Sequence, residues 1–282
     1  MIPPDDHVHT EWSWDAVHRG SMERSCARAV ELGLPSVAFT EHADFTVSRV
    51  DPRTRETLSP VLAAHVGADG MMRPPALDTA AYLDCVRRCR DLFPDLRIRT
   101  GLELSEPHWH PERIAALRAA GDFDRVLGSV HAVPTEDAPM EIDERYLDLP
   151  PAQVVRDYLT EAYALASSTA DFQVLAHIDF PIRFAPAAAA GWPGAFEEEV
   201  RAVLGALAGS GRAFELNTTV PLAADVVGWW RDAGGEAVSF GSDAHEPHLV
   251  GGGFAEAAAL ASACGFGPGD DPAAFWTRRS VR

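Results

Sequence analysis

The sequence predicts an α/β protein built from seven βα units around a parallel sheet, and three observations lead there. Helix-period segments alternate with short apolar runs almost to the end of the chain, which is the pattern of repeated β-α units. At 282 residues the chain has the size of a single α/β barrel. Metal-competent side chains cluster at the C-terminal ends of the apolar runs, the face on which barrels build their sites.

Each element has its own justification. The first run, DDHVHT, places His7 and His9 two residues apart. In an extended segment such residues share a face, so both imidazoles point to one place. The first helix is predicted from Glu23 to Leu32, with Ser21 as N-cap and Gly33 in the C-terminal position that favours glycine. SVAFT (36–40) is strand two. Residues 43–78 then show no periodicity over a length unusual for a passive connection, which makes them a candidate lid or substrate loop. Pro74 and Pro75 oppose a helix through its end. A helix from Thr79 to Phe93 precedes strand three, RIRTGLEL (97–104), and one from Pro111 to Ala120 precedes strand four, DRVLGSV (124–130). VLAHID (174–179), AFELN (213–217) and AVSFGSD (237–243) complete the seven, and a last helix lies near Phe254 to Cys264. No Pro/Gly/Ser-rich linker divides these units, so residues 1–282 are read as one domain with an insertion at about 43–78.

Composition narrows the function. Apolar residues at 46% and charged residues at 23% are ordinary for a globular protein, and no apolar run is long enough to span a bilayer. Asp5 and Asp6 stand where a signal peptide would be basic, and no apolar h-region follows, so a cytoplasmic location is expected. The formal net charge of −18 argues against a sequence-independent grip on nucleic acid. Cys26, Cys85, Cys89 and Cys264 form no C-x-x-C and read as free thiols in a reducing compartment. An anionic substrate would need local positive charge against this acidic background, from a few arginines or from metal ions.

The unusual residues fall in register. His7 and His9 end strand one, His42 follows strand two, Glu103 ends strand three, and His131 follows strand four. His177 ends strand five, Asp243 and His245 end strand seven, and Asp15 lies in the loop after strand one. Every strand but the sixth thus delivers a metal-competent side chain. Mixed imidazole and carboxylate ligation suits zinc, iron or manganese, and nine candidates exceed the four to six positions of one ion. Two or three metals are implied, with Glu103 placed to bridge a pair.

The set DDHVHT, TEHAD, GLEL, GSVH, AHIDF, ELNT and GSDAH resembles the polymerase and histidinol phosphatase (PHP) family, and within it most resembles the histidinol-phosphate phosphatase branch. The resemblance runs from residue 5 to 245. It implies a distorted seven-stranded (β/α)7 TIM-like barrel with a trinuclear site of divalent transition metals, Zn, Fe or Mn. It further implies that His7, His9, Glu103 and Asp243 surround one metal, that Glu103, His131 and His177 hold a second, and that Asp15, His42 and His245 hold the third. The activity expected is hydrolysis of a small phosphate monoester such as L-histidinol phosphate by a hydroxide shared between metals, with Glu103, Asp243 and His245 at the reacting centre. Arg183, six residues past His177 on a loop restricted by Pro181, is a candidate phosphate clamp beside the plainer reading of a surface ion pair. Arg156, Arg49, Arg53 and Arg55 are weaker candidates.

Other readings stay open at this stage. A PHP phosphoesterase acting on nucleotides or oligonucleotides fits the same motifs. An amidohydrolase-like barrel also begins with H-x-H, although it would use a carboxylated lysine where this sequence offers Glu103. A PHP module that binds metal without catalysis is the third. His108 and His110 repeat the H-x-H spacing past a strand end and suggest a substrate-loop or exposed role. His18, His65 and His248 are read as solvent or loop histidines, and Trp12, Trp14 and Trp109 as an aromatic wall near the mouth or as packing anchors.

Overall fold

Each connection between the long strands carries a helix, and crossovers of that kind leave successive strands parallel. The computed structural model describes residues 2–185, 191–221 and 223–279. Its main sheet contains β1 (Asp5–Val8), β2 (Ser36–Ala43), β3 (Arg97–Ser105), β4 (Arg125–Ser129), β5 (Val174–Leu175), β6 (Ala213–Asn217) and β7 (Ala237–Gly241), each paired in parallel with the next. The sheet curls until its first and seventh strands meet. Val8 bridges Ala244 in parallel, His9 N donates to Ala244 O at 2.9 Å, and Asp243 N donates to His7 O at 2.8 Å.

Two strands were not foreseen, so the sheet has nine strands where seven were predicted. After the last helix the chain returns as β8 (Phe266–Gly267) and β9 (Trp276–Arg278), and β9 pairs antiparallel with Ala237 and Val238 at the start of β7. Their reason is packing: Trp276 is buried with its ring 5.0 Å from that of Phe240. Strand five is shorter than the predicted 174–179, because His177 has φ of 20° and leaves the ladder.

Among the described residues seven helices of nine or more residues accompany the sheet: α1 (Met22–Leu32), α2 (Thr79–Leu92), α3 (Pro111–Ala119), α4 (Pro151–Ser167), α5 (Glu197–Gly209), α6 (Ala224–Asp232) and α7 (Phe254–Ala263). Helix α1 is capped as its sequence predicts. The Ser21 side chain accepts from Arg24 N, and Gly33 closes the helix at φ 68°, a left-handed conformation that costs glycine little. It buries Met22, Cys26 and Ala29 beside Tyr82, Cys85, Val86 and Cys89 of α2 in one apolar core. All four cysteines are free thiols, with Cys26, Cys85 and Cys89 buried. Among the described residues no helix is long and apolar enough to cross a membrane.

Residues 43–78 hold short elements that periodicity could not reveal. Strands Ser48–Arg49 and Met71–Met72 flank helical turns at Pro52–Arg55 and Pro60–Ala63, neither of which buries a residue. They join strands Ala132–Val133 and Met140–Glu141, from the segment after β4, in a separate four-stranded sheet. Arg53 ties the insertion to Asp148, and Thr54 Oγ1 and Asp51 N both bond Glu144.

Candidate metal centre

The alternation of β1 brings its two histidines together as the sequence predicts: His7 Nε2 and His9 Nε2 lie 3.0 Å apart, and both residues are buried. Glu103, at the end of β3, stands at the centre. Its Oε1 faces His177 Nε2 at 2.8 Å and His131 Nε2 at 3.3 Å. Its Oε2 faces His42 Nδ1 at 3.1 Å, His9 Nε2 at 3.3 Å and His7 Nε2 at 3.4 Å. Asp243 Oδ1 approaches His9 Nε2 at 3.3 Å and His7 Nε2 at 3.4 Å. Asp15 lies 3.0 Å from His245 Nε2 and 3.7 Å from His42 Nε2. All nine residues singled out from the sequence therefore converge.

The backbone bends where these side chains leave it. Glu106 (φ 42°), His177 (φ 20°) and Asp243 (φ 53°) are the non-glycine residues with positive φ among those described, and all three follow strand ends at this centre. Conformations of that kind cost free energy and tend to persist at functional sites.

The bonding pattern assigns the tautomer of four histidines. His7 Nδ1 donates to Glu215 Oε1 at 2.7 Å. His9 Nδ1 donates to Ser13 Oγ at 2.9 Å, and that hydroxyl donates to Glu41 Oε2. His131 Nδ1 donates to Ser105 Oγ, which donates to Asp44 Oδ1, and His245 Nδ1 donates to the Asp243 carbonyl. Each imidazole then turns the lone pair of Nε2 inward, toward carboxylate oxygens. Acceptors facing acceptors at 3.0 to 3.4 Å repel unless a cation lies between them, and this is the orientation that outer hydrogen bonds give to metal-binding histidines. His42 Nδ1 points the same way: it is buried beside Glu103 without the geometry of a hydrogen bond. The donor set fits divalent transition metals.

Electrostatics show the same need for a cation, met by protons on the imidazoles when no ion lies between the groups. Burial opposes charge on every group here, yet His7, His131 and His42 hold the Glu103 carboxyl well below the usual range. His7 and Arg183 do the same for Asp243. Burial would lower His7, but Glu215, Asp243 and Glu103 outweigh it and raise the imidazole well above its ordinary value. His131 is lifted to about 9, with Glu103 outweighing burial. The pocket demands positive charge.

Several participants escaped sequence reasoning. Strand six was read as delivering no metal-competent side chain at its end, although its ELNT belongs to the motif set; its Glu215 orients His7 and also accepts from His177 N at 2.8 Å. The signal was present in AFELN, an acid at alternating spacing in an apolar strand. Asp44 groups with His42 and His131 and receives Ser105 Oγ and Trp14 Nε1. Of the two roles expected for His108 and His110, exposure is corrected: both are half-buried, with His108 Nε2 bonded to Glu161 of α4 and His110 Nε2 to Thr46 Oγ1, a residue that lines the cavity. Trp14 lines the cavity above the centre, while Trp109 bonds Glu161. His248 is exposed, and His65 meets Trp14 edge-on. Arg183 is not at the surface: Nη1 donates to Asp243 Oδ2 at 2.7 Å, and Nε and Nη2 are buried without partners among the described residues.

A curled parallel sheet with imidazoles and carboxylates converging at its strand ends defines the class, an α/β protein with a multi-donor centre suited to several metal ions. The chain belongs to the PHP domain family, whose model matches residues 5–219. It is 23% identical over 250 residues, 86% of its own length and 83% of the relative's, to the histidinol-phosphatase of Lactococcus lactis. A probable histidinol-phosphatase of Thermotoga maritima is 33% identical over 116 residues, 39% of this chain and 48% of that one. The crystal structure of the Lactococcus lactis histidinol phosphate phosphatase complexed with zinc, L-histidinol and phosphate superposes with a TM-score of 0.75 at 22% identity, covering 94% of this chain and 95% of that one.

Proposed function

We propose that this chain is a metal-dependent phosphoric monoester hydrolase acting on a small phosphate ester, L-histidinol phosphate foremost. Glu103 carries the reading, because its two oxygens face two separate groups of imidazoles as a bridging carboxylate must. The Lactococcus lactis relative, whose solved complex holds zinc, L-histidinol and phosphate, supports the substrate. We assign His7, His9, Glu103 and Asp243 to one ion, Glu103, His131 and His177 to a second, and Asp15, His42 and His245 to a third, each zinc, iron or manganese. Such ions neutralise phosphate charge and lower the pKa of coordinated water.

The chain's own residues supply the rest. Glu215, the Ser13–Glu41 pair and the Ser105–Asp44 pair fix imidazole orientation. Arg183 offers its unpartnered Nε and Nη2 to phosphate oxygens, the bidentate geometry that suits a guanidinium. Glu103, Asp243 and His245 line the cavity as well as the donor cluster, and we place them at the reacting centre. Burial of this centre strengthens its interactions with developing charge. We read residues 1–282 as one barrel domain closed where β1 meets β7, working in a reducing, cytoplasmic setting that the free thiols support.

The rivals fit less well. The cavity of about 350 Å³ is small for an oligonucleotide, and its acidic wall repels further phosphates. The sequence contains no lysine, so a carboxylated lysine bridge is closed to it. Hydrolysis of L-histidinol phosphate, a nucleoside monophosphate and an aryl phosphate by metal-loaded protein tests the assignment, with Glu103→Gln beside the wild type. The first substrate should be preferred, and the folded variant should lose turnover by orders of magnitude. Near-wild-type rates in folded Glu103→Gln, or preference for the nucleotide, would sink it.

A further inference from the structure

The nine ligands are not equally accessible. Asp15, His42, Glu103, His131, His177, Asp243 and His245 line the cavity, whereas His7 and His9 are buried and do not. The His9 ring stacks on those of His42 and His245, with centroids 4.2 and 4.3 Å away, so the rim of the centre covers its floor. An ion destined for His7 and His9 must therefore enter past the rim. Glu106, Glu141, Asp143 and Glu144 line the same cavity, and Arg183 is the sole arginine among the lining residues. Such a lining concentrates cations.

At the rim stands a carboxylate that none of the three ligand sets uses. Asp44 lines the cavity and groups with His42 and His131, each offering a donor atom within 4.8 Å of the others. Its Oδ1 lies 3.7 Å from His42 Nδ1 and accepts from Ser105 Oγ, the hydroxyl that also meets His131 Nδ1. His42 Nδ1 is buried without a hydrogen-bond partner among the described residues, on a side chain only 10% exposed. A polar atom left so, 3.1 Å from Glu103 Oε2, costs free energy that a cation offsets. The other ring nitrogen, Nε2, faces Asp15 at 3.7 Å. A neutral imidazole has a free lone pair on one ring nitrogen only. His42 can thus serve the Asp15 and His245 set through Nε2, or Asp44 and His131 through Nδ1, but not both at once.

We infer that Asp44, His42 and His131 form a loading station for divalent transition metals, a fourth position that holds an ion on its way in and empties as the centre fills. The inference rests on the three-ion assignment and adds the route by which those positions are filled. Asp44 supplies the charge that draws the ion from the cavity. The switch of His42 from Nδ1 to Nε2, its ring proton exchanging through water, passes the ion inward.

Removal of metal from the loaded protein by a competing chelator tests this without any turnover. With cobalt(II) as the probe and its absorption as the signal, Asp44→Asn should slow removal about tenfold or more, because a station eases passage outward as well as inward and the variant loses its charged contact. Metal content before chelation should stay close to three ions per chain. A residue that only orients His131 acts in the opposite sense: its loss lowers the content and hastens removal. That pattern overturns the inference, and so does an unchanged rate. Should the variant not fold, cobalt(II) uptake by partly depleted wild type decides. A station filled ahead of the centre makes the observed rate level off as cobalt(II) rises, and a rate that stays proportional to cobalt(II) overturns the inference. Failure of the three-ion assignment looks different: the loaded wild type then holds one ion or fewer, whatever the rates, and the station falls with it.

Discussion

At the scale of single residues, the centre depends on groups that touch no substrate. Glu215 holds the Nδ1 proton of His7 at 2.7 Å and the amide of His177 at 2.8 Å, so one carboxylate positions donors from β1 and from the turn after β5. Glu215→Gln keeps the size but offers a weaker acceptor. It should lower metal affinity or turnover by about ten- to a hundredfold, the usual effect of altering an outer partner of a metal-binding histidine, which metal titration against a competing chelator will read. Arg183 is the residue proposed to touch the substrate itself. Arg183→Ala should reduce kcat/KM for a phosphate monoester by about ten- to a hundredfold, since a charge-assisted hydrogen bond contributes roughly 1.5–3 kcal/mol, with metal content unchanged. A loss below twofold in steady-state kinetics would return Arg183 to a purely structural pairing with Asp243.

At the scale of elements, strands β6 and β7 meet the first strand through a very close contact. A Cβ on Gly241 would lie 2.2 Å from Glu215 Oε1 and 2.7 Å from His7 Cβ. Gly241→Ala should therefore displace the Glu215–His7 pair, destabilising the fold by about 1–3 kcal/mol and lowering metal content, as thermal melting and elemental analysis will show. Strand ends were the legible part of this protein. Alternating apolar runs announced β1 to β7, and the histidines at their ends announced the centre, because both depend on spacing within a few residues. Glu215 was overlooked because its partner is 208 residues away, and Asp44 because one acid in TEHAD looks like any other. The small sheet was illegible for a related reason: its two-residue strands, Ser48–Arg49 and Met140–Glu141, gain their pairing from each other and carry no period of their own. Likewise β8 and β9 form because Trp276 finds Phe240, a contact without a local signature.

At the scale of the whole molecule, the buried carboxylates and imidazoles make stability a matter of metal occupancy. Loaded protein should retain close to three transition metals per chain, and chelation should lower its melting temperature, because a ligand held a hundredfold above its Kd contributes about 2.7 kcal/mol. A reproducible content of one or less in active protein would end the trinuclear assignment. The seam between β1 and β7 gives this dependence a further meaning. It is joined by the Val8–Ala244 bridge and by hydrogen bonds of His9 and Asp243, and the same two segments supply His7, His9, Asp243 and His245. Ions shared between them would cross-link points some 236 residues apart along the chain, closing a very long loop whose entropy cost grows only slowly with length. The centre would thus act as a clasp: the donors that would hold the ions also fasten the last parallel strand of the curled sheet to its first.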